Sequence, residues 1–323
     1  MELPVAIGLV AIGLVLLAGG GELLVRGAGS LARGLGVTPA VIGLTVVAMG
    51  TSIPELVVST IAAVGGQPDI AIGNVVGSNI MNIAFVLGFS ALVVALPIHG
   101  QIVKREWPFM FVASCVFVLL ARDGVIDRLE GGFFVVSLGL FTAYVVSIAR
   151  EEVTAEEAAE LRGAVASRGL GEKMRSFATP LAVALGGIAL LIVGGRVLVD
   201  GAIQLARLAG MTERVIGLTV VAAGTSMPEV ATTLIAALRR QGDVAVANAI
   251  GSNIFNILGI IGVTGLIAPI PVSPDMVSSD LWWMLGTSLI LLPLMRIRFN
   301  LSRFEGLLLL LSYGAYLAVL LGT

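Results

Sequence analysis

The sequence has a single cysteine, a single histidine and few charged residues. Because Cys115 is the single cysteine, no disulfide can form within the chain. One cysteine and one histidine, His99, are also too few for a metal site built from these residue types. Charged residues make up 12% of the 323 positions, which is about half the share found in soluble domains. No basic cluster points to nucleic acid. With so little charge, the chain cannot surround a core with a water-facing surface.

The chain is instead rich in apolar residues. Hydrophobic residues account for 57% of it and the mean hydropathy is +1.04, so lipid is the expected solvent. The 41 glycines agree with this, because small residues let membrane helices approach closely. The opening Met-Glu-Leu-Pro lacks the basic segment of a cleaved signal, so the first apolar stretch is predicted to remain as a span. The composition predicts an all-α membrane protein.

Apolar stretches that could cross a bilayer, which takes about 20 residues as helix, recur along the chain. Ten transmembrane helices are predicted, at 3–33, 39–64, 69–96, 105–121, 131–149, 178–208, 214–238, 243–268, 280–296 and 303–321. The first and the sixth are longer than a perpendicular crossing needs, so we expect them to be tilted.

The distribution of Lys and Arg predicts the orientation in the cell membrane. With ten spans both termini lie on one side, and placing them outside puts fourteen of the 19 basic residues on the inner side, as the positive-inside rule requires. The polar segment 150–177 is then cytoplasmic. It is predicted to connect the two halves, either as a solvated link or as a regulatory segment.

The chain repeats itself at an offset of 174 residues. VIGLTVVAMGTSIPE from Val41 recurs as VIGLTVVAAGTSMPE from Val215, and NVVGSNIMNI from Asn74 recurs as NAIGSNIFNI from Asn248. The units are predicted at 1–149 and 178–323. Because each has five predicted spans, an odd number, the second must enter the membrane from the opposite side. Inverted five-helix repeats with broken core helices are typical of secondary transporters. A duplication can persist as mere scaffold, but the positions most alike here are polar ones in lipid.

Each repeat has one glutamate at the end of a Gly-Thr-Ser-x-Pro-Glu motif, at Glu55 and Glu229. A carboxylate in the middle of a membrane costs on the order of a few kcal/mol and is a functional candidate by default. Pro54 has no N–H, so the carbonyl of Gly50 loses its helical partner and becomes a free oxygen ligand. The Thr and Ser of the motif share a helix face with the glutamate. Two such motifs together predict an all-oxygen site suited to Ca²⁺ or Na⁺ and poorly suited to zinc or copper.

A second motif, Gly-Ser-Asn-x-x-Asn, also occurs once in each repeat. Its serine and its last asparagine are one helical turn apart and share a face. The residues predicted to complete the cation cage are Ser78, Asn82, Ser252 and Asn256. The alternative is that they only form hydrogen bonds between membrane helices. Asn79 and Asn253 lie on another face, where packing or backbone capping is expected.

The charges suggest exchange. Two glutamates give −2, which one Ca²⁺ neutralises, and in isolation they would repel each other. Ca²⁺, several Na⁺ or protons must therefore occupy the site. Because the site cannot turn from one side of the membrane to the other while it is empty and charged, the transport of one ion is coupled to the transport of another. Three Na⁺ would make the cycle electrogenic. Elsewhere, Glu22 with Arg26 and Arg196 with Asp200 are predicted to be local ion pairs four residues apart.

At these two motifs the chain resembles the cation/calcium exchanger superfamily, specifically the prokaryotic sodium/calcium exchangers, over nearly its whole length. The resemblance implies exchange of Na⁺ for Ca²⁺ by alternating access, with the first and sixth helices sliding over the core. It implies that the transported ions bind to Thr51, Ser52, Glu55, Ser78, Asn82, Thr225, Ser226, Glu229, Ser252, Asn256 and the carbonyls of Ala48 and Ala222. No cofactor and no protein partner is predicted beyond Ca²⁺, Na⁺ (with which H⁺ competes) and the lipid bilayer.

One departure from the family bears on selectivity. Some relatives, including a structurally known archaeal type and the potassium-dependent branch, carry Asp where this chain has Asn256. The potassium-independent animal exchangers have Asn at both central positions, as this chain does, so K⁺ independence is predicted. A Ca²⁺/H⁺ antiporter is the alternative. A channel is disfavoured by the compact site between the repeats. An intramembrane enzyme is disfavoured because His99 falls in a predicted loop and no aspartate pair lies within the spans.

Overall fold

The computed structural model describes residues 3–35, 37–98, 100–151, 170–210 and 222–322. Most of the predicted connector 150–177, His99 and the start of the seventh predicted span lie outside these ranges. The α-helices are α1 Leu3–Leu35, α2 Pro39–Ile42, α3 Ala48–Thr51, α4 Ile53–Val64, α5 Pro68–Met81, α6 Gly88–Val93, α7 Trp107–Leu120, α8 Arg128–Glu151, α9 Leu170–Leu208, α10 Ala222–Thr225, α11 Met227–Leu238, α12 Gly242–Ile254, α13 Gly262–Ile267, α14 Leu281–Arg296 and α15 Arg303–Gly322.

Wider π-helical turns interrupt or precede several of these helices, and a 3₁₀ turn follows α7. The π segments are Gly43–Val47, Asn82–Leu87, Ile102–Glu106, Phe255–Ile261 and Met276–Asp280, and the 3₁₀ turn is Ala121–Asp123. Two of the π segments contain a predicted ligand, Asn82 in one and Asn256 in the other. π turns within helices are frequent at functional sites, because the extra residue turns side chains out of the regular α register.

Four two-residue strands form two antiparallel ladders, which the sequence did not predict. Strand β1 (Leu96–Pro97) pairs with β4 (Asn300–Leu301), and β2 (Val125–Ile126) pairs with β3 (Ile270–Pro271). Each ladder joins a loop of one repeat to a loop of the other. The prediction of an all-helical fold is confirmed apart from these strands, which are too short to show a period-two pattern.

Seven helices are long and apolar enough to cross a membrane, and a bent helix pair, Ala40–Thr51 with Ile53–Val64, is an eighth candidate. The count of ten is therefore not confirmed within the described residues. The fourth predicted span corresponds to α7, which has only 14 residues and follows a charged π segment. The seventh predicted span is described only from Ala222 onward, as α10 and the short apolar helix α11.

The helices that carry the Gly-Ser-Asn-x-x-Asn motifs lie at the centre of the fold. The most apolar window of Pro68–Val93 is 78% buried and that of Gly242–Ile267 is 83% buried, whereas the other candidate spans range from 17% to 33%. Both central segments run through an α-helix, a π turn and a second α-helix. The polar side chains of the second motif are therefore enclosed by the rest of the protein.

The two long helices α1 and α9, of 33 and 39 residues, pack on each other in antiparallel orientation. A Cβ at Gly13 would lie 2.6 Å from the backbone nitrogen of Leu198, and one at Gly187 would lie 2.5 Å from that of Leu24. The glycines of this seam recur every seven residues and are equivalent in the repeats: Gly13, Gly20 and Gly27 in α1, and Gly187, Gly194 and Gly201 in α9. Any side chain there would push the two backbones apart.

The predicted local ion pairs have different outcomes. Glu22 and Arg26 are in contact along α1, so the first pair is confirmed. Arg196 and Asp200 are both exposed on α9, and no ion pair forms between them in the part of the chain that the structure describes. The second prediction is therefore wrong.

Candidate cation site

Both Thr-Ser-x-Pro-Glu motifs break their helix at the serine. Ser52 has φ −88° and ψ 8°, and Ser226 has φ −88° and ψ 7°. The next helix, α4 or α11, starts immediately afterwards with a proline in its first turn, where the missing N–H costs nothing. In the first repeat the axes before and after the break differ by 44°. The glutamate thus lies in the first turn of the second half-helix, near free backbone groups.

Each serine donates a hydrogen bond to the glutamate of the opposite repeat. Ser52 Oγ lies 2.9 Å from Glu229 Oε1, and Ser226 Oγ lies 3.1 Å from Glu55 Oε1. Both glutamates are 1% exposed. Ser226 Oγ is also 3.2 Å from Ser78 Oγ. Residues more than 170 positions apart thus form one buried cluster in which the repeats contribute equivalent groups.

Several buried oxygens in this cluster have no hydrogen-bond partner among the described residues. They are Glu55 Oε2, Glu229 Oε2, Asn82 Oδ1, Asn256 Oδ1 and Ser252 Oγ. A buried oxygen without a partner costs free energy, so five such oxygens, two of which belong to the carboxylates themselves, form an unusual arrangement. Carboxylate, amide and hydroxyl oxygens are the ligands that Ca²⁺ and Na⁺ prefer, so the chemistry of these groups fits a bound cation.

Four asparagines of the second motif form a network across the repeat interface. Asn82 Nδ2 donates to Asn253 Oδ1 at 3.1 Å, and Asn256 Nδ2 donates to Asn79 Oδ1 at 3.0 Å. Asn253 Nδ2 also donates to the carbonyl of Asn79 at 3.1 Å. Each bond uses one N–H of the amide, and the oxygens of Asn82 and Asn256 have no hydrogen-bond partner among the described residues. Asn79 and Asn253, for which the sequence predicted packing or backbone capping, thus accept hydrogen bonds from the two predicted ligands, and Asn253 also caps the backbone carbonyl of Asn79.

The two threonines of the first motif are placed differently. Thr51 is buried and its hydroxyl donates to the carbonyl of Ala48 at 3.3 Å. Thr225 is half-buried and donates to Asn74 Oδ1 at 3.4 Å. Ala222 begins α10, and no contact of its carbonyl is described.

The site analysis of the sequence missed Asn74 and its equivalent Asn248. Asn74 Nδ2 donates to the carbonyl of Glu55 at 3.2 Å and to Ser59 Oγ at 3.0 Å. Asn248 Nδ2 donates to Thr233 Oγ1 at 3.0 Å. Both are polar residues that match across the repeat, one turn before the motif serine. This match between the repeats could have identified Asn74 and Asn248 as candidate site residues.

No group of three or more His, Cys, Asp or Glu side chains that could hold a metal occurs within the described ranges. The cluster has two carboxylates, and its other oxygens are neutral. Fewer charged ligands lower the affinity of a site for a divalent ion.

Fold and site together define a helical membrane protein in which two sequence repeats bring a pair of carboxylates and many neutral oxygens into one buried cluster. The family model described as "Sodium/calcium exchanger protein" matches residues 5–147 and again residues 179–322. The chain belongs to this family of the cation/calcium exchanger superfamily, as the motifs predicted. The members of this family are membrane ion exchangers.

Known relatives cover most of the chain. Inner membrane protein YrbG of Escherichia coli (strain K12) is 38% identical over 244 residues, which is 74% of this chain and 73% of that protein. Sodium/calcium exchanger MaX1 of Methanosarcina acetivorans is 33% identical over 298 residues, 84% of this chain and 85% of that protein. The solved structure of the sodium-calcium exchanger NCX_Mj soaked with 2.5 mM Na⁺ and 0.1 mM Ca²⁺ is similar over 97% of this chain and 98% of that one, at 29% identity and a TM-score of 0.82.

Proposed function

We propose that this protein is a secondary active transporter that exchanges Na⁺ for Ca²⁺ across the cell membrane by alternating access. The observation that carries the proposal is the reciprocal pair of bonds, Ser52 to Glu229 and Ser226 to Glu55, which holds the carboxylates of both repeats in one buried cluster. Their joint charge of −2 equals that needed to neutralise one Ca²⁺. Without a cation, two like charges would repel each other away from water.

The proposed ligands come from both motifs of each repeat. They are the side chains of Thr51, Ser52, Glu55, Ser78, Asn82, Thr225, Ser226, Glu229, Ser252 and Asn256, with the carbonyls of Ala48 and Ala222. Ca²⁺ takes about 6–8 oxygen ligands, and this set exceeds that number. The surplus supports several Na⁺ occupying the same cluster in place of one Ca²⁺.

Sodium is the proposed counter-ion, and the cycle is proposed to be electrogenic. The printed names of MaX1 and NCX_Mj as sodium/calcium exchangers support Na⁺. Three Na⁺ exchanged for one Ca²⁺ would move one net charge. K⁺ independence is proposed because the central positions Asn82 and Asn256 are both amides, which leaves no third carboxylate for an additional cation.

The topology is proposed as ten spans in two inverted repeats, 1–149 and 178–323, with both termini outside and the connector 150–177 cytoplasmic. The antiparallel packing of α1 on α9 supports the inversion. So does the equivalence of the strand ladders, in which each loop of one repeat pairs with a loop of the other.

A Ca²⁺/H⁺ antiporter is the second candidate, because buried carboxylates such as Glu55 and Glu229 also bind protons. The ion gradients distinguish the two. Reconstituted vesicles loaded with Na⁺ are expected to accumulate Ca²⁺ when diluted into Na⁺-free buffer, with or without K⁺. A pH gradient alone is expected to drive no uptake. Uptake driven by the pH gradient instead would establish the alternative.

The same assay tests the site. Glu55→Gln and Glu229→Gln are expected to reduce Ca²⁺ uptake to background, because each removes half of the charge that balances Ca²⁺. Asp69→Asn, which changes an exposed carboxyl in the first turn of α5, is the control and is expected to transport normally. Normal transport by either glutamine variant would show that the site is elsewhere.

A further inference from the structure

In each repeat, the helix that follows the break is hydrogen-bonded to the helix that carries the second motif of the same repeat. In the first repeat, Asn74 Nδ2 of α5 donates to Ser59 Oγ of α4 at 3.0 Å. In the second repeat, Asn248 Nδ2 of α12 donates to Thr233 Oγ1 of α11, also at 3.0 Å. We refer to these two contacts as the hydroxyl–amide bonds. Their residues are equivalent at the offset of 174, so the two repeats share the interaction.

The hydroxyl–amide bonds have the same spacing from the proposed ligands in both repeats. Ser59 and Thr233 each follow the motif glutamate by four residues. Asn74 and Asn248 each precede the motif serine by four residues. Residues four apart in a helix lie on one face, one turn from each other. Each bond therefore lies one turn from the glutamate on one helix and one turn from the serine on the other.

In the first repeat, the contact extends to the backbone of the glutamate itself. Asn74 Nδ2 donates to the carbonyl of Glu55 at 3.2 Å as well as to Ser59 Oγ, and an amide NH₂ group has two hydrogens to donate. Ser59 is 1% exposed, and its hydroxyl donates to the carbonyl of Ala71 on α5 at 3.1 Å. Three hydrogen bonds thus hold the glutamate end of α4 against α5.

The break in each helix explains why the glutamate needs such a contact. A continuous helix fixes the direction of each of its turns. The helix α4, however, begins again after Ser52, at 44° to the preceding segment. The direction of Glu55, in the first turn of α4, is therefore set by the contacts that α4 makes with its neighbours. In the second repeat Thr233 and Asn248 are both fully buried, where loss of a hydrogen bond leaves an unsatisfied polar group and is costly.

The internal repeat indicates that the hydroxyl is the essential group at this position. Residue 59 is serine and residue 233 is threonine, so the hydroxyl occurs in both repeats although the methyl group does not. The adjacent Thr60 behaves differently. Its hydroxyl lies 3.2 Å from Thr264 Oγ1, but its equivalent in the second repeat is Leu234. A neighbouring hydroxyl on the same helix is thus replaced by an apolar side chain in one repeat, whereas the bonded hydroxyl is present in both.

We propose that the four residues of the hydroxyl–amide bonds are positioning residues of the cation site. Each bond holds the glutamate of its repeat in register with the serine and asparagine ligands of the same repeat, so that the two helices of a half-site move together. The inference rests on the proposed transport function. Selectivity between divalent ions depends on the size and rigidity of the site. Loss of a hydroxyl–amide bond therefore weakens Ca²⁺ binding and reduces the preference for Ca²⁺ over the larger Sr²⁺.

Removal and exchange of the hydroxyl test the proposal in the reconstituted transporter. Thr233→Val keeps the shape of the side chain without its hydroxyl. It is expected to raise the KM for Ca²⁺ by about fivefold, the worth of one hydrogen bond, and to lower the ratio of the KM for Sr²⁺ to that for Ca²⁺. Thr233→Ser is expected to keep the wild-type values. Ser59→Ala and Ser59→Thr form the matched pair in the first repeat. Thr60→Val is the control, since it removes the adjacent hydroxyl of α4, and it is expected to change neither quantity.

A double-mutant cycle distinguishes positioning from general support of the fold. Asn248→Ala alone, and Asn248→Ala with Thr233→Val, are each expected to raise the KM for Ca²⁺ by about fivefold, because both substitutions remove the same bond. A defect of folding alone would lower the yield and the maximal rate without changing the KM or the ratio between the two ions. If Thr233→Val does not fold, Ser59→Ala against Ser59→Thr provides the same comparison.

An additive change of about twenty-five-fold in the double variant, or a wild-type KM in both Thr233→Val and Ser59→Ala, would overturn the inference. Absence of Na⁺-driven uptake by the wild type would instead refute the proposed function. The same variants measured by equilibrium Ca²⁺ binding to the purified protein would then still decide the role of the hydroxyl–amide bonds.

Discussion

Glu22 of α1 forms an ion pair with Arg239, the residue that follows α11, with Arg239 Nε 2.9 Å from Glu22 Oε2. Arg26 contacts the same carboxylate from one turn along α1. The first long helix is thus tied to the end of the second broken helix. At the equivalent positions of the other half lie Arg196 and Gly65, and a glycine has no side chain with which to form such a pair.

The contact between α1 and α11 differs between the two repeats at a second position as well. Ile235 of α11 is half-buried beneath α1, its Cδ1 atom 2.6 Å from where a Cβ on Gly21 would lie. Its equivalent in α4, Ile61, is 67% exposed. In this conformation α1 covers α11, whereas the corresponding surface of α4 is open. An ion pair present on one side alone stabilises this conformation relative to its inverted counterpart.

Glu22→Gln is therefore expected to shift the protein away from the conformation described here. A partly exposed pair contributes about 0.2–1 kcal/mol, so the equilibrium constant between the conformations should change by about 1.4-fold to fivefold. Cysteines at positions 235 and 61, introduced singly in a Cys115→Ala background, report the shift through labelling by a water-soluble maleimide. Labelling is expected to increase at 235 and to decrease at 61.

The fully charge-swapped variant, Glu22→Arg with Arg26→Glu and Arg239→Glu, is the control and is expected to restore the original labelling. Equal labelling of wild type and Glu22→Gln at both positions would show that the ion pair has no influence on the conformational equilibrium.

The glycine seam offers a second prediction with an adjacent control. A Cβ at Gly187 would lie 2.5 Å from the backbone nitrogen of Leu24, and backbone atoms cannot move aside as a side chain does. Gly187→Ala is expected to lower the melting temperature of the purified protein and to reduce Ca²⁺ uptake. Gly186, the preceding residue, has nothing within 4 Å of its Cβ position, so Gly186→Ala is expected to change neither. Equal stability of the two variants would contradict the packing of α1 on α9.

The internal repeat made much of this fold predictable. Polar identity at a fixed offset indicated that Glu55 and Glu229 act together, and the structure places them in one cluster. The break at Ser52 followed from the proline two residues later. The break in the helix could be predicted without knowledge of long-range contacts, because each residue of the motif acts on the backbone next to it.

What could not be predicted is the difference between the halves. The sequences around Asn74 and Asn248 are nearly the same, yet one amide oxygen is bonded and the other is not. A symmetric sequence cannot indicate which half adopts which conformation. The contact of Glu22 with Arg239 was also missed, since spacing rules reach only the next turn and this pair depends on how α1 lies over α11.

Removal of one serine hydroxyl tests the reciprocal bonds. Ser52→Ala and Ser226→Ala each take a donor from the opposite carboxylate and a ligand from the cluster, so the KM for Ca²⁺ is expected to rise by about tenfold, the worth of one charge-assisted hydrogen bond. Ser90 is an internal control, because it is 1% exposed and its hydroxyl has no partner in the described residues. Ser90→Ala is expected to leave the KM unchanged. A KM for Ser52→Ala equal to that of Ser90→Ala would contradict the site.

Protons are expected to compete with Ca²⁺ for the same oxygens. Glu55 and Glu229 bind a cation only in their ionised form, so lowering the pH removes ligands and weakens Ca²⁺ binding. The sign is fixed: the KM for Ca²⁺ should rise as the pH falls, while the maximal rate at saturating Ca²⁺ stays nearly constant, because excess Ca²⁺ displaces the protons. Initial uptake rates over a range of Ca²⁺ concentrations at several pH values, with the Na⁺ gradient held constant, measure both quantities. A fall in the maximal rate without a change in KM would mean that the protons act at a group outside the carboxylate pair.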